Sequence, residues 1–392
     1  MAFSKNSRVY ILSAVAYMGS FLFGYDTGVM GSVMALDSFK TDFNMPLGST
    51  GFASSEAADI ESNVVALLTA GCFFGAIAAS FANDRFGRRY SLLVLSGRHS
   101  EAAASLAWTR RADPESEEVK QEIAEIKASI EEELLSTEGV TWREVLLPGN
   151  RIRFINAFIM MFWQQFSGTN SIGYYAPQLF QTIGVASTNT SLFTTGIYGI
   201  VKVVATGIFL LIGIDKVGRK WSLVAGGFWM GVMMFVLGAI LVSYPPVDTS
   251  SISSASIAMI VMVYLYVIGY SASWGPIPWV YISEIFPTRL RAYGVGMGSA
   301  TQWLFNFVVT KFTPAAISNI GWRTFIMFGV FCTAMGAWVL IFVKETKGRS
   351  LEDMDALFSP GQVEPERKDL EAENDKDMGS HSRHEEEVTV GR

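Results

Sequence analysis

Amide and indole side chains recur inside apolar stretches of this chain, where polar groups are costly and commonly functional. Gln164, Gln165 and Asn170 lie in the stretch QQFSGTN, which a glycine interrupts. Trp279 follows GPIP, whose prolines break or kink a helix and free backbone carbonyls. Paired amides and an aromatic plate are suited to binding a ring with apolar faces and a rim of hydroxyls. The alternative is that the amides join helices to one another.

Further polar residues extend this candidate site. Gln302, Trp303 and Asn306 are spaced so that they share one face of a helix, although a tryptophan also suits a lipid interface. Tyr174 and Tyr175 are candidate gating aromatics, and interfacial anchoring would select the same residue type.

Ionisable residues also fall within apolar runs, where they usually serve a function. Asp26 lies in the first run, and desolvation or a further partner would set its protonation state. Lys202 lies within GIYGIVKVV. Its cation suits an acidic solute, or it neutralises a carboxylate or extends towards the surface. Both interpretations of Lys202 stay open.

Composition identifies a membrane protein. Half of the 392 residues are hydrophobic, 17% are charged and the mean hydropathy is +0.31. A hydrocarbon core about 30 Å thick requires roughly 20 apolar residues per helix, and about eight segments meet that requirement. The predicted spans are residues 10–34, 64–82, 154–179, 192–214, 222–242, 255–282, 293–312 and 325–343.

The distribution of basic residues predicts that both termini are cytoplasmic, with the lipid bilayer as an obligatory partner. All three histidines, at positions 99, 381 and 384, lie outside the predicted spans, and Cys72 and Cys332 lack metal-ligand spacing. We therefore predict no enzyme activity, no metal and no cofactor. A nucleic-acid partner is not expected either, because no basic domain is present.

Two hydrophilic segments flank the six later spans. The block at 97–150 contains a predicted helix that is capped by Asp113, begins at Pro114 and carries an apolar stripe from Val119 to Leu134. This helix either packs under the bundle or is an ordinary solvated connector. The tail beyond Pro360 is charged and is predicted to be disordered. The predicted domains are 1–96, 97–150, 151–345 and 346–392.

The phrase DRFGRR at 84–89 returns as DKVGRK at 215–220, each time after the second span of a set. Duplicated helical units are common in transporters and place related loops at equivalent points. An acidic residue with basic neighbours can then form ion pairs that close one side. The predicted cytoplasmic gate comprises Asp84, Arg85, Arg88, Arg89, Asp215, Gly218 and Arg219.

Several phrases together resemble the sugar-porter branch of the major facilitator superfamily. They are GSFLFGYDTGVMG, DRFGRR, QQFSGTNSIGYYAP, DKVGRK, GPIPWVYISEIFPTRLR and KETKGRSLED, and TTGIYGIVK resembles fungal members that carry monosaccharides, polyols or quinate. The resemblance implies secondary transport by alternating access, with a sugar-like substrate and a coupled proton, in the plasma membrane. It also implies that Gln164, Gln165, Asn170, Trp279, Gln302, Trp303 and Asn306 bind substrate, that Asp26 couples protons, and that Glu284 and Arg289 belong to the gate.

The chain departs from that family in its first half. The stub YSLLVLS at 90–96 is too short to span a bilayer and runs directly into the hydrophilic block. About four spans are missing, among them the one whose arginine would face Asp26. The predicted fold is therefore an all-α polytopic membrane protein with an incomplete major facilitator fold. The predicted function is sugar transport; alternatives are a quinate or polyol carrier, or a sensor or binding protein that no longer transports.

Overall fold

The computed structural model describes residues 7–45, 55–86, 99–137, 142–185, 188–246, 252–349, 354 and 357–358. Within these residues the regular structure is helical, as predicted. The longer helices are α1 (Ser7–Met34), α3 (Ser55–Phe86), α4 (His99–Arg110), α5 (Glu117–Thr137), α7 (Pro148–Phe166), α10 (Thr188–Ile208), α12 (Arg219–Ser243), α13 (Ser254–Ser271), α14 (Ile277–Ile285), α15 (Thr288–Ile320) and α16 (Arg323–Phe342). Shorter helices are α2 (Asp37–Asp42), α6 (Trp142–Val145), α8 (Thr169–Tyr174), α9 (Ala176–Thr182) and α11 (Ile214–Val217), with a π-helical turn at Phe209–Gly213.

Each predicted span coincides with a helix or a broken helix. Five helices in the described residues are long and apolar enough to cross a bilayer by composition alone: α3, α10, α12, α13 and α16. The remaining predicted spans are α1, the interrupted α7–α9 segment and α15, which contains Pro314. The predicted fold class is thus confirmed.

Two of the spans are interrupted where the sequence places glycine or proline. The span that begins with α7 stops at Phe166 and resumes as α8 and α9, and Gly168 between them has φ +85°. Only glycine adopts that backbone freely. The later span is divided into α13 and α14 at the segment around Gly275 and Pro276. Both interruptions expose backbone groups inside the bundle, which is tolerated only where other groups satisfy them.

A large apolar core holds the C-terminal helices together. It includes Met160, Leu223, Tyr266, Trp274 and Phe328, each 2% exposed or less. Helices α12 and α16 approach closely because Gly227 faces the backbone of Gly336. Small residues permit such close approach between membrane helices.

The N-terminal helices α1 and α3 dock on this bundle through a second, smaller apolar cluster. It joins Met34, Ala58 and Val65 to Tyr174, Tyr175 and Ile317. Gly31 of α1 lies against the backbone of Tyr174, so closely that a Cβ atom would overlap its carbonyl oxygen. Helix α3 packs along α15. The contact between the two units therefore passes through the α8–α9 segment and α15.

Helix α10 is the least enclosed of the apolar helices. Only 11% of the residues of this span are buried; Ile200 and Val203 are 65% and 73% exposed, and Leu211 of the π-helical turn that ends the span is 86% exposed. An apolar surface of this kind is suited to contact with lipid chains.

The linker helix begins later than predicted. Helix α5 starts at Glu117 rather than Pro114, because residues 113–116 form a turn in which Ser116 Oγ donates to the carbonyl of Asp113 at 2.7 Å. The predicted stripe packs against α4, where Val119 forms an apolar cluster with Leu106 and Ala107 and Ile123 packs against that cluster. The side chain of Leu134, the stub at 90–96 and nearly all of the tail lie outside the described residues.

Candidate functional site

The predicted amides form a continuous hydrogen-bonded chain at the interruption after α7. Asn170 Nδ2 donates to Gln165 Oε1 at 2.7 Å, and Gln165 Nε2 donates to Gln164 Oε1 at 3.1 Å. Gln164 Nε2 in turn donates to the carbonyls of Trp274 and Gly275 at 2.8 and 3.3 Å. Gln164 and Gln165 are 3% and 2% exposed, and Asn170 is half-buried. The chain thus connects the two interrupted spans.

Neighbouring hydroxyl groups satisfy the backbone that the interruption opens. Tyr266 donates to the carbonyl of Ser167 at 2.7 Å, and its oxygen lies 2.7 Å from Thr169 Oγ1. Trp274 Nε1 donates to the carbonyl of Leu223 at 2.9 Å. These bonds hold both interrupted segments in place, so the amides project from a fixed support.

Helix α15 contributes the other predicted polar group. Asn306 is 1% exposed, and its Nδ2 lies 3.4 Å from the hydroxyl of Tyr174. Gln302 Oε1 and Asn306 Oδ1 are buried acceptors without a hydrogen-bond partner in the described structure. Trp303 lies one residue along and is half-buried. Unpaired buried acceptors are costly, and a hydroxyl-bearing ligand would relieve that cost.

Burial excludes the interfacial-anchor alternative for the tyrosines. Tyr174 and Tyr175 are 5% and 0% exposed. Tyr175 donates to the carbonyl of Thr310 at 3.1 Å. Both rings therefore lie in the contact between the N-terminal helices and the bundle.

Trp279 is the predicted aromatic plate, and it follows the α13–α14 interruption as expected. Its side chain is 37% exposed, and the structure gives it no hydrogen bond to the amide chain. The structure therefore brings Gln164, Gln165 and Asn170 together in one group and Tyr174 and Asn306 in another. Within the described residues, Trp279 makes no hydrogen bond to either group.

The predicted intramembrane charges differ in their surroundings. Asp26 is exposed on α1 rather than enclosed among helices, and the described residues provide it with no ion pair. The predicted role of Asp26 in proton coupling stays a prediction. Lys202 is half-buried on α10, and its Nζ lies 5.6 Å from the centroid of the Tyr270 ring. This geometry is a cation–π contact.

Charged groups meet at the end of the bundle where α12 begins, which we call the basic end; it comprises Arg219, Glu284, Glu345 and Thr346. Arg219 Nη2 donates to Glu284 Oε1 at 2.8 Å, and Thr346 Oγ1 donates to Glu284 Oε2 at 2.6 Å. A cavity of about 200 Å³ is lined by Arg219, Glu284, Thr346, Gly348, Arg349 and Met354. Arg219 and Glu284, two residues of the predicted gate, therefore form an ion pair.

Glu345 binds the first turn of α12. Its carboxylate accepts hydrogen bonds from the backbone N–H groups of Arg219 and Lys220 at 2.8 and 3.0 Å, and from those of Thr346 and Lys347 at 3.1 and 3.0 Å. Gly218 has φ +89°, and a Cβ there would lie 2.8 Å from Glu345 Oε2. The glycine of the repeated phrase therefore admits an acidic side chain to a helix N-terminus, where negative charge is favoured.

A second ion pair fastens the linker to the bundle. Arg289 binds Glu144 through two hydrogen bonds of 2.9 and 2.7 Å. Arg88 and Arg89 lie outside the described residues, and the structure describes only the backbone of Asp84, Arg85 and Asp215. The predicted ion pairs of these five residues remain predictions.

The contacts of Glu345 predict a pH effect. Burial by itself would raise the pKa of this carboxyl, but the four backbone hydrogen bonds outweigh burial and hold the pKa below its ordinary value of 4.5. A group with a lowered pKa adds stability above its unfolded value, and that stability is lost as the pH falls through the folded value. We expect Glu345→Gln to lower the free energy of unfolding by about 1 kcal/mol at neutral pH. Thermal unfolding in detergent should show this difference shrinking at pH values below 4.5.

The sequence interpretation missed several polar residues of the site. Glu345 lies in the phrase KETKGRSLED, and its position between Lys344 and Lys347 just after the last span was the available signal. Glu144 carried no signal, since its partner lies 145 residues away. Glu61 of α3 is 2% exposed and its Oε1 accepts a 3.5 Å hydrogen bond from Gln178. Glu61 was also missed, because it follows Glu56 and Asp59 at the polar start of a span.

This chain forms a helical membrane bundle whose interrupted spans present amides to the interior. That architecture is typical of membrane carriers. A model of the family described as "Sugar (and other) transporter" matches residues 12–96 and 93–358. The chain belongs to that family, as a sugar porter of the major facilitator superfamily. The two matches meet at residues 93–96, which is where the sequence predicts that spans are missing.

Curated relatives are similar over most of the chain. A probable quinate permease of Aspergillus clavatus is 26% identical over an alignment of 480 positions, which takes in 90% of this chain and 88% of the relative. A probable quinate permease of Aspergillus fumigatus is 33% identical over 272 residues, 68% of this chain and 50% of the relative. The first alignment is longer than the 392-residue chain, so the relative carries segments that this chain lacks.

Solved structures show the same fold. A D-xylose–proton symporter has a TM-score of 0.60 at 23% identity, covering 87% of this chain and 99% of the other. The xylose transporter XylE from E. coli in its inward-open conformation has a TM-score of 0.60 at 20% identity, covering 89% and 99%.

Proposed function

We propose that this chain binds a monosaccharide or a related polyhydroxylated solute near the middle of the membrane and carries it by alternating access. The observation that carries the proposal is the amide chain of Gln164, Gln165 and Asn170, with the unpaired acceptors of Gln302 and Asn306 on α15. A solute hydroxyl both donates and accepts hydrogen bonds, so it is suited to amide carbonyls and amide N–H groups alike. Trp279 supplies an apolar face for the ring.

Movement of the N-terminal helices against the C-terminal bundle would open and close access to this site. Their contact passes through Tyr174 and Tyr175, next to the amides. The Arg219–Glu284 ion pair of the basic end holds one state closed. The distribution of basic residues predicts that this end is cytoplasmic. Proton symport is supported by the structural similarity to a D-xylose–proton symporter.

Uptake and binding measurements test the proposal together. The full chain is expressed in cells that lack their own sugar carriers, and uptake of labelled glucose, xylose and quinate is measured. Binding of the same solutes to purified protein is followed by tryptophan fluorescence. We expect saturable uptake of at least one solute. Binding without uptake would favour the sensor alternative, and absence of both would contradict the proposal.

Substitution of the amides tests the site itself. We expect Asn306→Ala to weaken solute binding about tenfold, the effect of losing one buried hydrogen bond of about 1.4 kcal/mol. Asn319→Ala, on the same helix, is the matched control, because Asn319 is exposed and its amide donates to the carbonyl of Ala315 on its own helix. Equal affinities for the two variants would remove Asn306 from the site.

A carboxylated polyol such as quinate is the second candidate solute. Lys202 favours it, because its cation lies within the helical bundle against Tyr270, and the relatives named above are probable quinate permeases. We expect Lys202→Asn to abolish quinate uptake while leaving uptake of a neutral sugar within about threefold. Equal loss of both solutes would assign Lys202 a structural role instead.

A further inference from the structure

Glu61 is an acidic side chain of α3 that is buried without full hydrogen bonding. Its residue is 2% exposed, and Oε1 accepts from Gln178 Nε2 at 3.5 Å. Glu61 Oε2 and Gln178 Oε1 are both buried and lack hydrogen-bond partners in the described structure. Two neighbouring side chains therefore each leave one acceptor oxygen unsatisfied.

An ionised carboxylate cannot relieve this arrangement, because both orphaned atoms are acceptors. A proton on Glu61 changes the balance, since the carboxylic acid gains one O–H donor. That donor can bond the amide oxygen of Gln178 while the Gln178 amide N–H bonds the other carboxyl oxygen. The protonated acid and the amide then satisfy each other, and no buried negative charge remains.

Charged and titratable groups on the surrounding elements oppose or support this proton. Burial disfavours the charged form of Glu61, whereas the positive charge of Lys40 on α2, which is 6% exposed, favours it. Lys311 of α15 is directed to the neighbours of Glu61, with Nζ 3.0 Å from Ser62 Oγ and 2.5 Å from Asn63 Oδ1. Tyr175 lies close enough for its hydroxyl to interact electrostatically with Glu61.

The position of Gln178 connects Glu61 to the candidate site. Gln178 lies on α9, one turn beyond Tyr174 and Tyr175. Tyr174 contacts Asn306, and Tyr175 bonds the carbonyl of Thr310. The α8–α9 segment thus has Glu61 on one side and the candidate solute contacts on the other, at the contact between the two units.

We propose that Glu61 binds and releases the proton that accompanies solute movement, with Gln178 as the amide partner that holds the protonated acid. The step is a single protonation: the carboxylate takes a proton from a hydronium ion, one O–H bond of which breaks, and the products are the acid and a water molecule. The inference rests on the proposed transport function and assigns proton binding to Glu61 rather than to the exposed Asp26. Burial favours the acid and the charge of Lys40 favours the carboxylate.

Infrared spectroscopy tests the proton site without a solute. The carbonyl band of a protonated carboxyl is recorded for the detergent-solubilised full chain as the pH is changed between about 5 and about 9. We expect a pH-dependent band that is lost in Glu61→Gln and kept in Glu56→Gln, the matched control at an exposed position of the same helix. A wild-type spectrum in which Glu61→Gln removes nothing would overturn the proposal.

The pH dependence of solute binding tests the coupling. In Glu61→Gln, whose amide imitates the protonated acid, binding should become independent of pH. In Lys40→Gln, the pH of half-maximal binding should rise, because the cation no longer favours the ionised carboxyl. Retained pH dependence in Glu61→Gln, or its loss in Asp26→Asn alone, would overturn the proposal. Absence of solute binding in the wild type would contradict the transport function instead and leave the infrared result to decide the proton site.

Discussion

Gly31→Ala is expected to separate the N-terminal helices from the C-terminal bundle. The added methyl group would overlap the carbonyl oxygen of Tyr174 and approach the Pro177 ring. The neighbour is backbone of a segment fixed by several hydrogen bonds, so it cannot move aside at little cost. Overpacking of this kind costs about 3 kcal/mol at the upper end of its usual range. We expect a lower unfolding temperature in detergent and loss of solute uptake.

Gly28→Ala is the matched control for this substitution. Gly28 lies one turn earlier on α1, and a Cβ atom there would meet no other atom within 4 Å. Alanine is favoured over glycine inside a helix by about 1 kcal/mol, so this variant should be as stable as the wild type or more stable. If Gly31→Ala behaved like Gly28→Ala, α1 would not be seated against Tyr174.

Arg219→Met is expected to destabilise the basic end of the bundle. The side chains of Arg219 and Glu284 are 13% and 27% exposed, and removal of the guanidinium leaves Glu284 without its cation. Breaking a fully buried ion pair costs about 3 to 5 kcal/mol, and partial exposure reduces this to about 2 kcal/mol here. Solute uptake should fall about tenfold or more, because a closed state that depends on this pair becomes less populated.

Two comparisons separate the ion pair from a general effect of losing charge. Arg289→Met removes the more exposed pair with Glu144, and it should change the unfolding temperature less. In the double variant Arg219→Met/Glu284→Gln, the orphaned charge is absent, so part of the stability should return. Equal effects of Arg219→Met and Arg289→Met would show that burial of the first pair does not matter.

The positions of most helices could be predicted from the lengths of the apolar segments and from the glycines and prolines that interrupt them. The α7–α8 interruption falls at Gly168, and the α13–α14 interruption falls at the prolines after Gly275. Gln164 and Gln165 are adjacent to the first of these, so their proximity to opened backbone could be predicted. Their bond to the Trp274 carbonyl could not, because it depends on how two spans distant in sequence pack together.

Which charged residues are buried could not be predicted from the local sequence. Lys40 and Glu61 follow short polar stretches and resemble solvated ends of helices in the sequence, yet they are 6% and 2% exposed. Asp26 lies within an apolar run and is exposed. In each case the exposure depends on which helices are present to cover the position, and hydropathy along one helix does not report that.

The exposed apolar surface of α10 makes the stability of this protein depend on the surrounding membrane. Because Ile200 and Val203 of α10 and Leu211 of the π-helical turn that follows are mostly exposed, we expect acyl chains of the bilayer to pack against this side of the bundle. The hydrocarbon thickness and chain order of the host membrane then enter directly into the energetics of the fold. Reconstitution in bilayers of graded thickness should therefore alter the thermal tolerance of this protein more than that of a relative whose corresponding helix is enclosed.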